Sequence, residues 1–150
     1  MDTERMKRVL ERVYGPAAPA KEKEAPDALR ESLRWETEAA VLLRYLVRTS
    51  RACRNLLGEP LRRCEARKKK LHAEFFLREG ERAPQSRPGM PPGVLSALRR
   101  IVLIARARER LYESAGENVL PLAPEAARRF AAECRAEESA AVRLLALAMK

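Results

Sequence analysis

The chain has 150 residues, 46% of them hydrophobic and 35% charged, with a formal net charge of +10. That length suits one domain around one core, and no apolar run approaches the ~20 residues of a membrane span. The excess of base over acid turns attention to acidic partners, and the opening MDTERMKRVLERVYG has no signal-peptide core, so a soluble, cytoplasmic protein is expected. Ala, Leu, Arg and Glu dominate and only 5% of residues are aromatic, a helix-forming composition. The three cysteines, Cys53, Cys64 and Cys134, lack CxxC spacing. They read as reduced, buried thiols.

Residues 2–14 can form a short amphipathic helix with Met6, Val9, Leu10 and Val13 on one face. PAAPAKEKEAP (16–26) follows as a linker, which makes 1–26 an N-terminal arm and 27–150 the globular domain. A first long helix then carries Leu29, Leu33, Glu36, Ala40, Leu43, Val47, Ser50, Cys53 and Leu57 at alternating spacings of four and three. That is the seam of helices packed at shallow angles. It also puts one carboxylate, Glu36, inside an apolar stripe. Gly58 and Pro60 are the natural stop and restart, which predicts a tight turn there and an antiparallel second helix over about 60–79. Such a turn would bring Cys53 and Cys64 to one level and permit a bridge between them.

The second helix presents Leu61, Cys64, Lys68, Leu71 and Phe75, with His72 and Phe76 flanking and Arg62, Arg63, Arg67, Lys69 and Lys70 outside. GERAPQSRPGMPPG (80–93) has no periodicity. Fully extended it reaches roughly 45 Å, whereas a helix of twenty-odd residues is about 30–36 Å long. It can therefore run the length of a bundle. A third helix (about 92–117) shows Leu95, Leu98, Ile101, Ala105, Arg108 and Tyr112; a fourth (about 124–149) shows Ala127, Phe130, Cys134, Glu137, Ala141, Leu144 and Ala148. No strand pattern is present. The fold class is all-α: two hairpins joined by a long crossover in a four-helix bundle.

The two halves are alike. ALRESLRWETEAA (28–40) and ALRRIVLIARARERLY (97–112) open the hairpins, and KKLHAEFF (69–76) and FAAECRAEESAAVRLL (130–145) close them. Over about residues 27–148 this layout resembles the ferritin-like superfamily, most nearly its rubrerythrin-type members. The resemblance implies an up-down-down-up bundle with the crossover between helices 2 and 3. It also implies a dimetal centre built from one Glu on each of helices 1 and 3 and a Glu-x-x-His pair on each of helices 2 and 4. Position by position, Glu36, His72 and Glu137 match that pattern, while Lys69, Ala105 and Ala140 fall where ligands would stand.

Two metal ions bring about four positive charges inside, which calls for several carboxylates. Only two acids lie on the interior seams. The heptad places Lys68 inward and the family register places Lys69 there; Arg108 adds a further cation. The favoured expectation is therefore a degenerate, non-catalytic ferritin-like bundle without cofactor, structural or partner-binding, whose internal polar cluster is Glu36, Lys68, Lys69, Arg108 and Glu137. The first alternative is a rubrerythrin-type redox protein with iron or manganese on Glu36, His72 and Glu137. Another class is weak, sequence-blind nucleic-acid contact through Arg62, Arg63, Arg67, Lys69 and Lys70, against the simpler reading of a solvated helix face. Trp35, beside Glu36 but off the seam, is expected at the bundle edge or at a contact in a homo-oligomer or with a protein partner. No Gly-rich phosphate loop, nucleophile elbow or zinc-like Cys/His cluster occurs.

Overall fold

The computed structural model describes residues 25–90, 93–114 and 120–149. The expected helix over 2–14 and most of the 16–26 linker lie outside them. The described chain forms four helices: α1 (Ala25–Thr49), α2 (Arg51–Glu79), α3 (Val94–Glu113) and α4 (Pro124–Ala148). It is an all-α four-helix bundle.

The hairpin turn is at Ser50 and not at Gly58–Pro60. Ser50 takes an extended conformation (φ −134°, ψ 128°), its amide closes α1 onto the Leu46 carbonyl, and its hydroxyl accepts the Cys53 amide at 3.3 Å. A serine that ends one helix and caps the next makes a one-residue connection. Helix α2 then runs unbroken through Gly58 and Pro60. Proline inside a helix gives up one main-chain hydrogen bond at a cost of about 3 kcal/mol, which the continuous helix offsets by laying Cys53, Leu57 and Cys64 of α2 in one cluster with Ala39, Leu43 and Leu46 of α1. Cys53 and Cys64 consequently share one helix, about 16 Å apart along its axis, and all three cysteines are free and buried. A Cβ added at Gly58 meets nothing within 4 Å. Gly58→Ala is therefore expected to raise the unfolding free energy by about 0.5–1 kcal/mol, read as a higher urea midpoint; a lower midpoint would contradict a helical position 58.

Side-chain pairings set the topology. Glu36 reaches Arg67 and Arg108, Arg67 reaches Glu133, and Arg108 reaches Glu137. Each hairpin is antiparallel; α1 also lies antiparallel to α3, and α2 to α4, with α1–α3 and α2–α4 as the joining faces. The order is up, down, down, up. The crossover from Gly80 therefore has to climb from the lower end of α2 to the upper end of α3. It leaves α2 through Gly80 in the left-handed conformation (φ 71°), whose amide bonds the Phe76 carbonyl, and it buries Ala83 on the way.

The core lies in two apolar layers. The upper one holds Leu43, Leu46, Leu57, Leu98, Ile101 and Leu144 among others. The lower one is built on Leu29, Leu71, Phe75, Tyr112, Phe130 and Cys134. Some seam expectations shift by one position: Leu46 is buried where Val47 was expected, while Leu95 and Ala148 are exposed. Trp35 sits on the α1–α3 edge, packed on the upper layer, with the guanidiniums of Arg34 and Arg100 5.3 and 5.6 Å from its ring.

Candidate functional site: an ion-pair belt between the two core layers

Each helix sends a charged side chain into the middle of the bundle: Glu36 from α1, Arg67 from α2, Arg108 from α3 and Glu137 from α4, none more than 1% exposed. The Arg67 Nε donates to both oxygens of Glu36 at 2.9 and 3.1 Å. One of its terminal nitrogens donates to Glu133 at 2.9 Å and the other to Glu137 at 3.5 Å. Arg108 donates through one nitrogen to Glu36 at 2.9 Å and to Glu137 at 3.3 Å, and through the other to the second Glu137 oxygen. Its Nε donates to the Ile104 carbonyl at 3.1 Å. The Cys64 thiol caps the group, directed at the Glu36 carbonyl and carboxylate at 3.4 and 3.5 Å. All five N–H directions of a guanidinium are fixed in one plane, so it can bridge three acceptors at once.

Glu36, Arg108 and Glu137 thus come together. Lys68 and Lys69 do not join them: Lys68 stays at the flank 3.9 Å from Glu65, and Lys69 is exposed. The inner cation of α2 is Arg67, which the sequence reading placed on the outer face. Between Cys64 and Leu71 a 3–4 seam can pass through position 67 or 68. The acids decide between them, because a lysine ammonium lacks the fork that spans Glu36, Glu133 and Glu137. One signal was available: Glu133 and Glu137, four apart on α4, share a face and offer two carboxylates to one facing cation.

His72 is exposed and lines an open cleft of about 730 Å³ beside Asp27, Arg30, Arg34 and Lys68. Partial burial and then the Lys68 ammonium hold its imidazole below the ordinary value. It does not meet Glu36 and Glu137, and among the described residues no three His, Cys, Asp or Glu side chains converge as metal ligands would. The donor set also departs from a dimetal centre, because both carboxylates already accept from guanidiniums. The basic run RRCEARKKK is dispersed in the same way. Arg67 is buried, Arg62 and Arg63 are tied to Glu59, and Lys70 lies 3.5 Å from Glu74. Tyr112, at the end of the third helix's stripe, is fully buried edge-on to Phe130 (centroids 5.3 Å apart), and its hydroxyl meets no hydrogen-bonding partner among the described residues.

The two buried acids differ. Burial works against ionisation of Glu36, but the charges of Arg108 and Arg67 prevail and hold its carboxyl below the ordinary 4.5. At Glu137 burial prevails over Arg108 and, with Glu36 as a like charge nearby, pushes the carboxyl up. Burial likewise raises the Cys134 thiol to about 12 and the Cys64 thiol well above its usual range, so neither is a nucleophile at neutral pH. The two acids have opposite pH signatures. A depressed acid contributes stability that is present above its unfolded value and lost as pH falls through the folded one; a raised acid contributes stability only as pH falls from neutral through its folded value toward 4.5. Denaturation across a pH series should therefore show the unmodified protein gaining stability relative to Glu137→Gln as pH falls from neutral toward the ordinary 4.5. Relative to Glu36→Gln it should lose stability below about 4.5. Parallel profiles for the two variants would contradict the assignment.

Comparison with protein-family models, curated proteins and solved structures yields no match to this chain.

Proposed function

We propose that the protein is a non-catalytic, ferritin-like bundle in which internal ion pairs have replaced a dimetal centre, and that it acts inside the cell as a structural or partner-binding protein, alone or as a homo-oligomer. One observation carries the reading: Arg67 and Arg108 answer Glu36 and Glu137 from inside the core, at 2.9–3.5 Å. Carboxylates that accept several charge-assisted hydrogen bonds have spent the lone pairs a metal would need. The chemistry available at the belt points the same way. Its thiols are held protonated, its arginines stay charged, and its acids are shut away from substrate by two apolar layers. A general acid or base must reach the proton it moves, and neither buried Glu lines the cleft beside His72.

Metal analysis of the purified protein after incubation with iron, manganese and zinc tests the reading. Substoichiometric metal, unchanged in Glu36→Gln, is expected. One ion or more per chain, lost in Glu36→Gln or Glu137→Gln, would overturn it in favour of a redox metalloprotein.

A further inference from the structure

The upper end of the bundle, where α1 turns into α2, α3 begins and α4 ends, is unlike the rest of the surface. Residues 44–63, 93–101 and 140–149 contain nine arginines and a single acid, Glu59, whereas the whole chain has 31 basic residues against 21 acidic. The four-helix topology gathers the α1–α2 turn, the start of α3 and the end of α4 at one end of the bundle, with Arg62 and Arg63 about 18 Å further down α2. All nine arginines are exposed. Four are engaged: Arg44 with Glu65, Arg62 and Arg63 with Glu59, and Arg100 with Glu38. The other five, Arg48, Arg51, Arg54, Arg99 and Arg143, pair with no acid among the described residues, and of these only Arg54 is bonded at all, to the Val47 carbonyl at 3.2 Å.

We infer that this arginine-rich end docks on the phosphate backbone of a nucleic-acid duplex without reading its sequence. Free guanidiniums on rigid helix ends are pre-organised forks for phosphate oxygens. Helices 8–10 Å apart spread them over a face about 20 Å across, and a duplex carries one charge per ~1.7 Å of its axis. The tip itself, Arg48 to Asn55, exposes arginine, threonine, alanine and asparagine and keeps Cys53 buried. The neighbouring ends of α3 and α4 do expose Leu95, Val142, Leu147 and Met149. It is therefore the density of acid-free guanidiniums, matched to closely spaced phosphates, that favours nucleic acid, and a comparison with anionic vesicles discriminates it from a membrane. Base readout needs an element that enters a groove, and a blunt helical end offers none. The five arginines without an acid partner all lie outside the RRCEARKKK run, and the inference deepens the partner-binding reading by naming the partner's chemistry. Metal content and nucleic-acid binding are separate measurements, so either can fail alone.

The test is fluorescence anisotropy with two duplexes of about 20 base pairs and unrelated sequence, titrated across a salt series. The two should bind alike, with log K falling linearly in log salt. In Arg48→Gln/Arg51→Gln/Arg54→Gln affinity at low salt should drop about tenfold or more and the salt slope should shrink by about 2–3, given ~0.9 per phosphate contact. Arg99→Gln/Arg143→Gln, which leaves the turn untouched, should reduce it by about 2. Lys69→Gln/Lys70→Gln/Arg82→Gln removes as much charge from the lower half and should leave the slope unchanged. Thermal melting of each variant verifies the fold. The inference is overturned by any of three results: no binding by the unmodified protein at low salt, equal losses in the lower-half control, or tighter binding to anionic phospholipid vesicles than to duplex at the same salt.

Discussion

Replacing Arg108 by leucine is expected to remove about 3–5 kcal/mol of unfolding free energy, the largest loss for any single substitution at the belt. The guanidinium is wholly buried and joins Glu36 to Glu137, while its Nε holds the Ile104 carbonyl. Leucine leaves Glu137 with only its 3.5 Å contact to Arg67, which already serves Glu36 and Glu133. An acid so stranded either stays ionised in a low-dielectric interior or takes up a proton, and both cost stability. Urea denaturation at pH 7 measures the effect, and part of the loss should be recovered as pH is lowered, because burial without Arg108 favours the protonated Glu137 carboxyl. A loss below about 1 kcal/mol would mean that the pair is far better solvated than its burial implies.

Removing all four charges together should have the opposite result. Glu36→Leu, Arg67→Met, Arg108→Met and Glu137→Leu in one chain keep the volume roughly constant and leave no buried charge without a partner. Bringing ions out of water costs several kcal/mol each, and their attraction inside roughly repays it. The fourfold variant is expected to match the unmodified protein or exceed it by about 1–4 kcal/mol. Strong coupling between neighbours is the reason one substitution is severe and four are mild. Glu133, 15% exposed, loses its Arg67 partner in that variant but can turn to water. If the fourfold variant proved less stable than Arg108→Leu, the belt would be a net source of stability.

The all-α class, the four helices and the need for a long crossover were legible because each helix keeps its apolar stripe over six turns or so, and because fourteen residues of Pro, Gly and polar side chains cannot be helical. The turn was not. The 3–4 spacing of Leu43, Val47, Ser50, Cys53 and Leu57 continues in phase across Ser50, so periodicity cannot see the chain reverse there. Gly58 and Pro60 carry stronger local stop signals than a lone serine. Tertiary packing overrode them. At the site, Glu36, Arg108 and Glu137 stood out as charges on apolar stripes. Arg67 did not, since one position of helical phase separates it from Lys68, and only the presence of three acceptors on two other helices selects the fork over the ammonium. His72 stood at a ligand position only through the ferritin-like resemblance, and the phase that turns Arg67 inward turns His72 out.

The belt has a bearing on alignment. Leucine and alanine layers grip almost equally well when one helix slides along its neighbour by a turn of about 5.4 Å, so such contacts leave axial position loosely determined. Four charges from four helices at one height behave differently. Any slip would set a guanidinium against leucine and leave a carboxylate facing methyl groups, an error no nearby rearrangement can mend. By this logic the interior sacrifices some cohesion to acquire a single zero mark, from which the heights of all four rods, and hence the composition of each end of the bundle, are measured.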